Sequence, residues 1–371
     1  MISGKVFKTF FTLIVIVCVV LVTCVGFVLG YEYVLKQNNR LEKLQSGMLT
    51  VTANTPGAVM VVIPRGSDTK AIARILEKAG ILHNTMLFNL MSKINGFDGT
   101  YLAGTHFVTG ELSYDEIMFI LSQQPKSIEV LFNEGLSYLQ FKQTLTAAGI
   151  LFDEAALDRI VSRPSMFTDY DFVTSIPSTA DRQWTLQGYL FPDTYKFDMN
   201  MDEEEIIGKF LANTEMKIPP EFYTRAAALG MTWDQVITLA SIIEKESSDI
   251  TDMSMVSSVF QNRLRSKAAD MKYLQSCATI NYLREQKGLA PILVVSDEDL
   301  ALVSAYNTYK NPGLPPGPIC SPGLDAISAA LYPETSTYYY FVSDGKGKNV
   351  FATTLAQHQA NIAKYITNAK P

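Results

Sequence analysis

The sequence has few of the residues that bind metals or nucleic acids. It contains three histidines and four cysteines in 371 residues, and Cys18 and Cys24 lie in its most hydrophobic stretch. Neither the scattered histidines nor the other cysteines show the spacing of a zinc site. The net charge of −6 argues against a nucleic-acid surface. We therefore expect no metal, no cofactor and no nucleic-acid partner.

Charged residues are also scarce. They make up 18% of the chain, against about 25% in ordinary soluble domains. No charged side chain occurs from Thr9 to Tyr31, and a helix of that length can span the roughly 30 Å of bilayer hydrocarbon. A secretory signal would have a shorter apolar core and a small-residue cleavage site. The run predicts a transmembrane anchor at 9–31, with a cleaved signal or a lipoprotein signal ending at Cys24 as alternatives.

The orientation of the anchor is predicted from the size of its flanks. Basic residues occur in similar numbers on both sides of the run, so the positive-inside count is nearly balanced. Almost the whole chain follows the run, and the simplest topology exports that part. We expect residues 1–8 to be a cytoplasmic tail and the polar residues 32–55 to be a stalk.

An internal repeat follows the stalk. The segment "VVIPRGSDTKAIARILEKAGIL" begins at Val61, and "VLFNEGLSYLQFKQTLTAAGIL" begins at Val130. Each copy predicts a short strand, a glycine turn and an amphipathic helix closed by an Ala-Gly pair. Asn84 in the first copy and Asp153 in the second then cap another helix. In the first copy "TYLAGTHFV" predicts a further strand, followed by a helix from Ser113.

Strand, two helices and strand form a small αβ module that resembles the LysM carbohydrate-binding unit. A spacer or packing domain fits equally well, because no cluster of sugar-stacking aromatic residues is obvious. We place this LysM-like module at 56–127, the second repeat as a connecting module at 128–182, and a mixed α+β domain at 183–371. The predicted fold class is α+β with a single N-terminal transmembrane helix.

The strongest helix of the third region is "MTWDQVITLASIIEKES". One face of it carries Val236, Leu239, Ile242, Ile243 and, at the end, Glu246. Desolvation and the negative end of the helix dipole should both raise the pKa of this carboxyl group, as an acid that protonates a glycosidic oxygen requires. Glu244 points to a different side and is the weaker candidate. The alternative is that both glutamates are solvated at a helix end.

Other segments of the third region have simpler patterns. An acidic helix is predicted near Asp202, and "DMSMVSSVFQNRLRS" predicts an amphipathic helix. Beyond Ser304 we expect mostly loop and strand, because Pro and Gly are crowded there. "STYYYFVSDGKGKNVFATT" predicts two strands around a turn.

Several motifs then occur in one order and spacing. They are "GYLFPDTY", "LASIIEKES", "FQNRL", "AYNTY", "GLPPGPI", "SPG" and "YYYFVSDGKG". Together with the apolar run they resemble the endolytic murein transglycosylases of the MltG (YceG-like) family, from the run to Tyr365. In that family the catalytic glutamate is the second acid of the Glu-Lys-Glu motif, which corresponds to Glu246. The resemblance implies lytic cleavage between N-acetylmuramic acid and N-acetylglucosamine, with Glu246 acting first as acid and then as base.

The resemblance also implies substrate contacts, partners and a location. Residues of the substrate cleft are expected among Tyr306, Asn307, Thr308, Tyr309, Gln275 and Asn262. Core packing is the alternative for the two tyrosines. The implied enzyme lies in a bacterial cell membrane with its catalytic domain outside, where it cuts nascent glycan strands alongside penicillin-binding synthases.

Four positions depart from the family pattern. They are Gln187, the pair Cys277-Ala278, Asn349 and Ala352. These departures leave open a slower enzyme, or a non-catalytic glycan-binding scaffold of the wall-synthesis machinery. A hydrolase that pairs Glu246 with Asp193 or Glu244 is a third hypothesis. Whether Cys277 and Cys320 form a disulfide is left open by the sequence.

Overall fold

The computed structural model describes residues 4–45, 51–52, 55–125, 127–197, 201–247, 249–292 and 295–367. The chain divides into two compact units, residues 1–126 and 127–371, and each has its own hydrophobic core. Both units combine helices with strands, so the predicted α+β class is confirmed.

The first unit begins with a long helix, α1 (Gly4–Gln45). Its segment Phe11–Glu32 has a mean hydropathy of 3.1, and none of it is buried against the rest of the protein. An apolar helical segment that stays exposed is compatible with a membrane anchor. The helix continues into the predicted stalk as far as Gln45, whereas residues 46–50 and 53–54 lie outside the described residues.

The rest of the first unit follows the predicted order of elements. It contains β1 (Ala58–Ile63), α2 (Thr69–Lys78), α3 (Thr85–Ile94), β2 (Gly104–Thr109) and α4 (Tyr114–Ser122). The two strands pair antiparallel, with Val61 opposite His106. Asn84 and Ser113 accept hydrogen bonds from the first turns of α3 and α4, as their positions predicted. Strand β2 begins only at Gly104, so the predicted strand was too long at its start.

The second unit is mainly helical. Its elements are β3 (Ile128–Leu131), α5 (Tyr138–Ala147), α6 (Glu154–Ser162), α7 (Asp171–Thr174), β4 (Thr194–Phe197), α8 (Glu203–Lys217), α9 (Pro220–Ala228), α10 (Trp233–Glu246), α11 (Ile250–Arg265), α12 (Cys277–Gln286), α13 (Asp297–Leu300), α14 (Leu324–Leu331), β5 (Tyr340–Ser343), β6 (Asn349–Ala352) and α15 (Leu355–Ile362). The acidic helix capped by Asp202 and the β5–β6 hairpin are confirmed. The expectation of mostly loop and strand beyond Ser304 missed two short helices, α14 and α15.

The two copies of the internal repeat have matching local structure. The turn glycines Gly66 and Gly135 have φ values of 76° and 77°, and the glycines that end the helices, Gly80 and Gly149, have 74° and 75°. Glycine is the residue that adopts such angles without strain. Strand β3 of the second copy pairs antiparallel with β4, so this copy is also closed by a returning strand.

The second repeat shares its core with the residues that follow it. The ring of Phe132, next to β3, lies 5.0 Å from Phe141 and 4.9 Å from Phe210, measured between centroids. It also lies 5.9 Å from the ring of Tyr195. Residues 128–182 and 183–371 therefore meet in one core, and the boundary expected at 182/183 does not separate two.

Helix α10 runs through the middle of this core. Every residue from Val236 to Ile243 is buried, so the helix is covered on all sides rather than along one stripe. Its capping box at Thr232 and Gln235 fixes its start. The helix leaves the core only in its last turn, which carries the Glu-Lys-Glu motif.

Candidate active site

A cleft of about 1550 Å³ opens beside the end of α10. Pockets for small molecules usually measure about 300–1,000 Å³, so this cleft has room for a larger ligand. Helix α5 of the second repeat forms one wall, and α12 with residues 288–292 forms another. The lining includes Gln143, Thr146, Glu244, Glu246, Ala278 and Tyr282.

The carboxyl group of Glu246 is held at the start of α12. Its Oε1 atom accepts a short hydrogen bond from the Ser276 hydroxyl group. It also accepts one from the Ala278 backbone N–H at 3.3 Å. Ser276 is the N-cap residue of α12, so the last residue of α10 meets the first turn of another helix. The Glu246 side chain is half-buried and lines the cleft.

Burial raises the pKa of the Glu246 carboxyl group above its ordinary value. The hydrogen bonds from Ser276 and Ala278 act in the opposite direction, because they stabilise the charged form. The sequence argument included burial but placed the carboxyl group only at the negative end of α10. The structure adds the positive end of α12, which favours the carboxylate. Burial prevails, so Glu246 holds its proton to higher pH than an exposed glutamate.

The other glutamate of the motif binds a different partner. Glu244 Oε2 accepts a hydrogen bond from the Gly323 N–H at 3.0 Å, at the N-cap of α14. Burial, and to a lesser degree the charge of Glu134, raise the pKa of Glu244. Both motif glutamates line the cleft, although they point to different helices.

Three of the expected cleft residues are core residues. The exposed fractions of Tyr306, Asn307 and Thr308 are 6%, 0% and 1%. Asn307 Nδ2 donates to the carbonyl oxygens of Leu300 and Leu302, at 3.1 and 2.8 Å. The expectation that these side chains contact sugar is therefore corrected, because they are covered by protein.

Tyr309 contacts a residue that lines the cleft beside the acid. Its hydroxyl group is 3.2 Å from Cys277 Sγ, and Cys277 lines the cleft. Burial raises the pKa of both groups, which keeps them neutral where a carboxyl group titrates. Cys320 is buried, and its thiol donates to the Ser241 carbonyl oxygen at 3.2 Å. Both cysteines are free, so the disulfide that the sequence left open is not formed.

The side chains of Gln275 and Asn262 both form hydrogen bonds within the protein. Gln275 is exposed and adopts φ of 53°, the one positive value at a non-glycine position among the described residues. Its Oε1 atom accepts a hydrogen bond from Arg263 at 2.7 Å. Asn262 Nδ2 donates to the carbonyl oxygens of Ser336 and Tyr338, at 3.0 and 2.9 Å. The amide of Asn262 is thus engaged in holding the chain that leads to β5.

The departures from the family pattern fall in three places. Cys277 and Ala278 line the cleft beside Glu246. Gln187 is buried, accepts a hydrogen bond from the Tyr138 N–H at 3.0 Å and donates to the Pro318 carbonyl oxygen at 2.7 Å. Asn349 and Ala352 belong to β6. Gln187 is thus a structural link in this protein.

Asp193 is poorly suited to act as a second acid. Its carboxylate forms an ion pair with Lys217 at 2.8 Å, and the hydrogen bond from Lys217 lowers its pKa. Glu154, which lines the cleft, is paired with Lys142 at 2.7 Å. The neighbouring amine of Lys217 stabilises the charged form of Asp193.

The sequence argument missed Ser276, Ala278 and the wall formed by α5. Serine directly before a helix is an N-cap signal, so α12 could have been located from "SCATINY". Nothing local indicates that its first turn binds Glu246 or that the second repeat borders the same cleft.

A carboxyl group of raised pKa in a cleft larger than a small-molecule pocket is an arrangement typical of polysaccharide-cleaving enzymes. Residues 61–364 match the model of the YceG-like family. The chain belongs to this family.

Named relatives agree with this assignment. The endolytic murein transglycosylase of Streptococcus pneumoniae serotype 2 is 30% identical over 367 residues, which cover 91% of this chain and 62% of the relative. That of Bacillus subtilis is 29% identical over 331 residues, covering 86% and 88%. The chain thus spans less than two thirds of the pneumococcal relative. A crystal structure of a YceG-like protein from Listeria monocytogenes has a TM-score of 0.56 and 31% identity, covering 82% of this chain and 98% of that one.

Proposed function

We propose that this protein is a membrane-anchored lytic transglycosylase that cuts peptidoglycan glycan strands internally. The observation that carries the proposal is Glu246, a carboxyl group of raised pKa in a large cleft. The names of the pneumococcal and Bacillus relatives support the same activity.

In this mechanism Glu246 acts twice. As a neutral acid it protonates the oxygen that bridges N-acetylmuramic acid and N-acetylglucosamine, and the glycosidic bond breaks. As a carboxylate it then takes the proton from the muramic 6-hydroxyl group, whose oxygen closes onto C1. The product is a 1,6-anhydro sugar, no water is consumed, and Glu246 regains its proton. The substrate supplies the nucleophile, so the second carboxyl group of ordinary glycosidases is not needed.

The cleft suits a sugar polymer in size and in chemistry. Gln143 and Thr146 on α5 offer amide and hydroxyl groups, and Pro291 offers an exposed apolar ring from the opposite wall. Sugar hydroxyl groups need such hydrogen-bonding partners, and pyranose faces pack on flat apolar ones. We assign substrate binding to these walls, with Tyr309 near the reacting bond.

The first unit is proposed to hold the enzyme where strands are made. Residues 9–31 would lie in the bacterial cell membrane, with residues 1–8 in the cytoplasm and the cleft outside. The order β1-α2-α3-β2 supports a LysM-like glycan-binding module at 56–127. An enzyme anchored in this way would cut nascent glycan close to the bilayer, limit strand length and work alongside penicillin-binding synthases.

The test is digestion of purified glycan strands in ¹⁸O-labelled water by the full-length protein in detergent. We expect products with anhydro ends and no ¹⁸O. In Glu246→Gln the rate of their formation should fall by at least about a thousandfold, because glutamine keeps the shape of the side chain but cannot donate the same proton. The matched control is Glu204→Gln, an exposed residue of α8. If the products instead had reducing ends carrying ¹⁸O, and if Glu244→Gln also failed to form them, the result would indicate a hydrolase with two acids. Binding of insoluble peptidoglycan without any product would indicate a scaffold.

A further inference from the structure

Both hydrogen bonds to the Glu246 carboxyl group fall on one oxygen. The Ser276 hydroxyl group and the Ala278 N–H donate to Oε1, and no donor in the described ranges is directed at Oε2. An oxygen that accepts these hydrogen bonds is a poor place for the acidic proton, because the Ala278 N–H can only donate and would face a proton there. The neutral form of Glu246 therefore carries its proton on the other oxygen.

We infer that Ser276 is a positioning residue: its hydroxyl group holds the Oε1 edge of Glu246 and leaves Oε2 as the atom that gives and takes the proton. The catalytic consequence of this assignment depends on the proposed function. The assignment of the two oxygens does not, because it concerns the carboxyl group alone.

Buried hydroxyl groups fix the position of Ser276. Thr308 Oγ1 accepts a hydrogen bond from the Ser276 N–H at 3.1 Å. Thr279 Oγ1 donates to the Ser276 carbonyl oxygen at 2.8 Å and lies 2.9 Å from Thr308 Oγ1. Because the single proton of Thr279 is used on Ser276, Thr308 must donate to Thr279. Each hydroxyl group then has one role, and the Ser276 backbone is held from both sides.

The residue before Ser276 is held in an unfavourable conformation. Gln275 has φ of 53° without being glycine, a left-handed conformation that residues with a Cβ disfavour. Two groups of Arg263 hold this segment, donating to the Leu274 carbonyl oxygen at 3.1 Å and to Gln275 Oε1 at 2.7 Å. Thr308 O also accepts from the Gln275 N–H at 3.2 Å. Strain of this kind persists where the surroundings impose it and is concentrated at functional sites.

Several other titratable groups surround the Glu246 carboxyl group. Glu244 and Lys245 precede it on α10, and Cys277 faces it from α12. Tyr309 faces it from the turn that follows α13, and Glu134 lies near Glu244. The thiol and the phenol have raised pKa values, so Glu244 is the group that can titrate in the same range as Glu246. A test must therefore isolate Glu246 from Glu244.

The experiment is an infrared titration of the full-length protein in detergent. At each pH, subtracting the spectrum of Glu246→Gln from that of the parent isolates the carbonyl stretch of the protonated Glu246 carboxyl group. The same subtraction is made in Ser276→Ala. The matched control is Ser257→Ala, which removes a buried hydroxyl group that has no hydrogen-bond partner.

In Ser276→Ala we expect the titration of Glu246 to move to higher pH, because the charged form loses a hydrogen bond. At a fixed pH above the midpoint, the ratio of protonated to ionised Glu246 should rise about tenfold or more. Ser257→Ala should titrate like the parent. Thr308→Val removes the acceptor of the Ser276 N–H and should shift the titration in the same direction, but by less. If Ser276→Ala does not fold, Thr308→Val is used in its place. An unshifted titration in the folded variant overturns the assignment.

Kinetics add a second readout. In Ser276→Ala, kcat should fall about 10- to 100-fold through lost orientation, with KM within about twofold of the parent. An unchanged kcat with a shifted titration would overturn the positioning role. Absence of glycan cleavage by the parent would refute the proposed function while leaving the infrared result intact.

Discussion

The Lys245 ammonium group donates a hydrogen bond to the Gly135 carbonyl oxygen at 3.2 Å, which joins the end of α10 to the turn of the second repeat. Its neighbours in sequence, Glu244 and Glu246, bind the starts of α14 and α12. Three consecutive side chains thus reach three separate parts of the second unit. The motif organises the site as well as supplying its acid.

The pH dependence of the proposed activity should have a single limb from Glu246. The reaction starts from the protonated carboxyl group, so kcat/KM should fall tenfold per pH unit as pH rises above the pKa of Glu246. Burial raises that pKa, which places the fall at higher pH than for an exposed glutamate. Initial rates of anhydro-product formation across pH, normalised to the folded fraction, measure this. A bell-shaped profile that becomes one-sided in Glu244→Gln would contradict the single-residue mechanism.

Glu246→Gln should make the protein more stable at neutral pH. The folded pKa of Glu246 lies above its unfolded value, so the folded state binds more protons and loses stability as pH rises between the two values. Glutamine removes that loss while its oxygen still accepts from Ser276 and Ala278. We expect a higher Tm at pH 8, by about 2–4 °C for each kcal/mol relieved, and no gain at pH 4. Glu204→Gln is the control. If Glu246→Gln and the parent had the same Tm at pH 8 as well as at pH 4, the effect of burial on Glu246 would be contradicted.

Gly188→Ala should destabilise the second unit severely. Gly188 has φ of +90°, and an added Cβ would lie 2.5 Å from Pro318 Cβ and 3.0 Å from Ile237 Cγ2. Gly230 is the matched control, because its φ is +71° and nothing lies within 4 Å of an added Cβ. Both variants should lose about 1–2 kcal/mol to backbone strain, and Gly188→Ala should lose about 1–3 kcal/mol more to overpacking. Urea unfolding monitored by circular dichroism measures the difference between the two variants. An equal loss of stability in both would contradict the prediction, because it would mean that Pro318 moves aside.

Gln187→Glu should destabilise this protein as pH rises. Gln187 Nε2 donates to the Pro318 carbonyl oxygen in a buried site. A neutral glutamic acid can still donate there, whereas a carboxylate cannot. The folded pKa of the new group should therefore be raised, with stability kept below the unfolded pKa and lost above it. We expect a loss of about 1–3 kcal/mol at pH 7, much reduced at pH 4, and Gln143→Glu on exposed α5 surface should show little of this.

Local patterns predicted local structure well. The repeat located two pairs of helices, and Asn84 and Asp153 were identified as their caps because capping depends on a few neighbouring residues. The face of α10 led to Glu246 for the same reason. Helix α14 was missed because it is short, rich in alanine and flanked by Pro and Gly.

The contents of the cleft were less predictable. Tyr306, Asn307 and Thr308 carry groups that serve a core as readily as a sugar site, and only tertiary packing distinguishes the two uses. The hydrogen bonds of Glu246 join residues thirty and more positions apart. Periodicity cannot report contacts over such distances.

The late position of β4 has a consequence for the order of folding. In the first repeat the returning strand begins at Gly104, soon after α3 ends at Ile94, so its contacts close a short loop. In the second repeat, β3 pairs with β4 (Thr194–Phe197), which lies much later in the chain. Closing a longer loop costs more chain entropy and slows folding. As the chain emerges from its amino end, the first module can therefore form early, while the wall bordering Glu246 assembles only after the polypeptide has grown past Phe197.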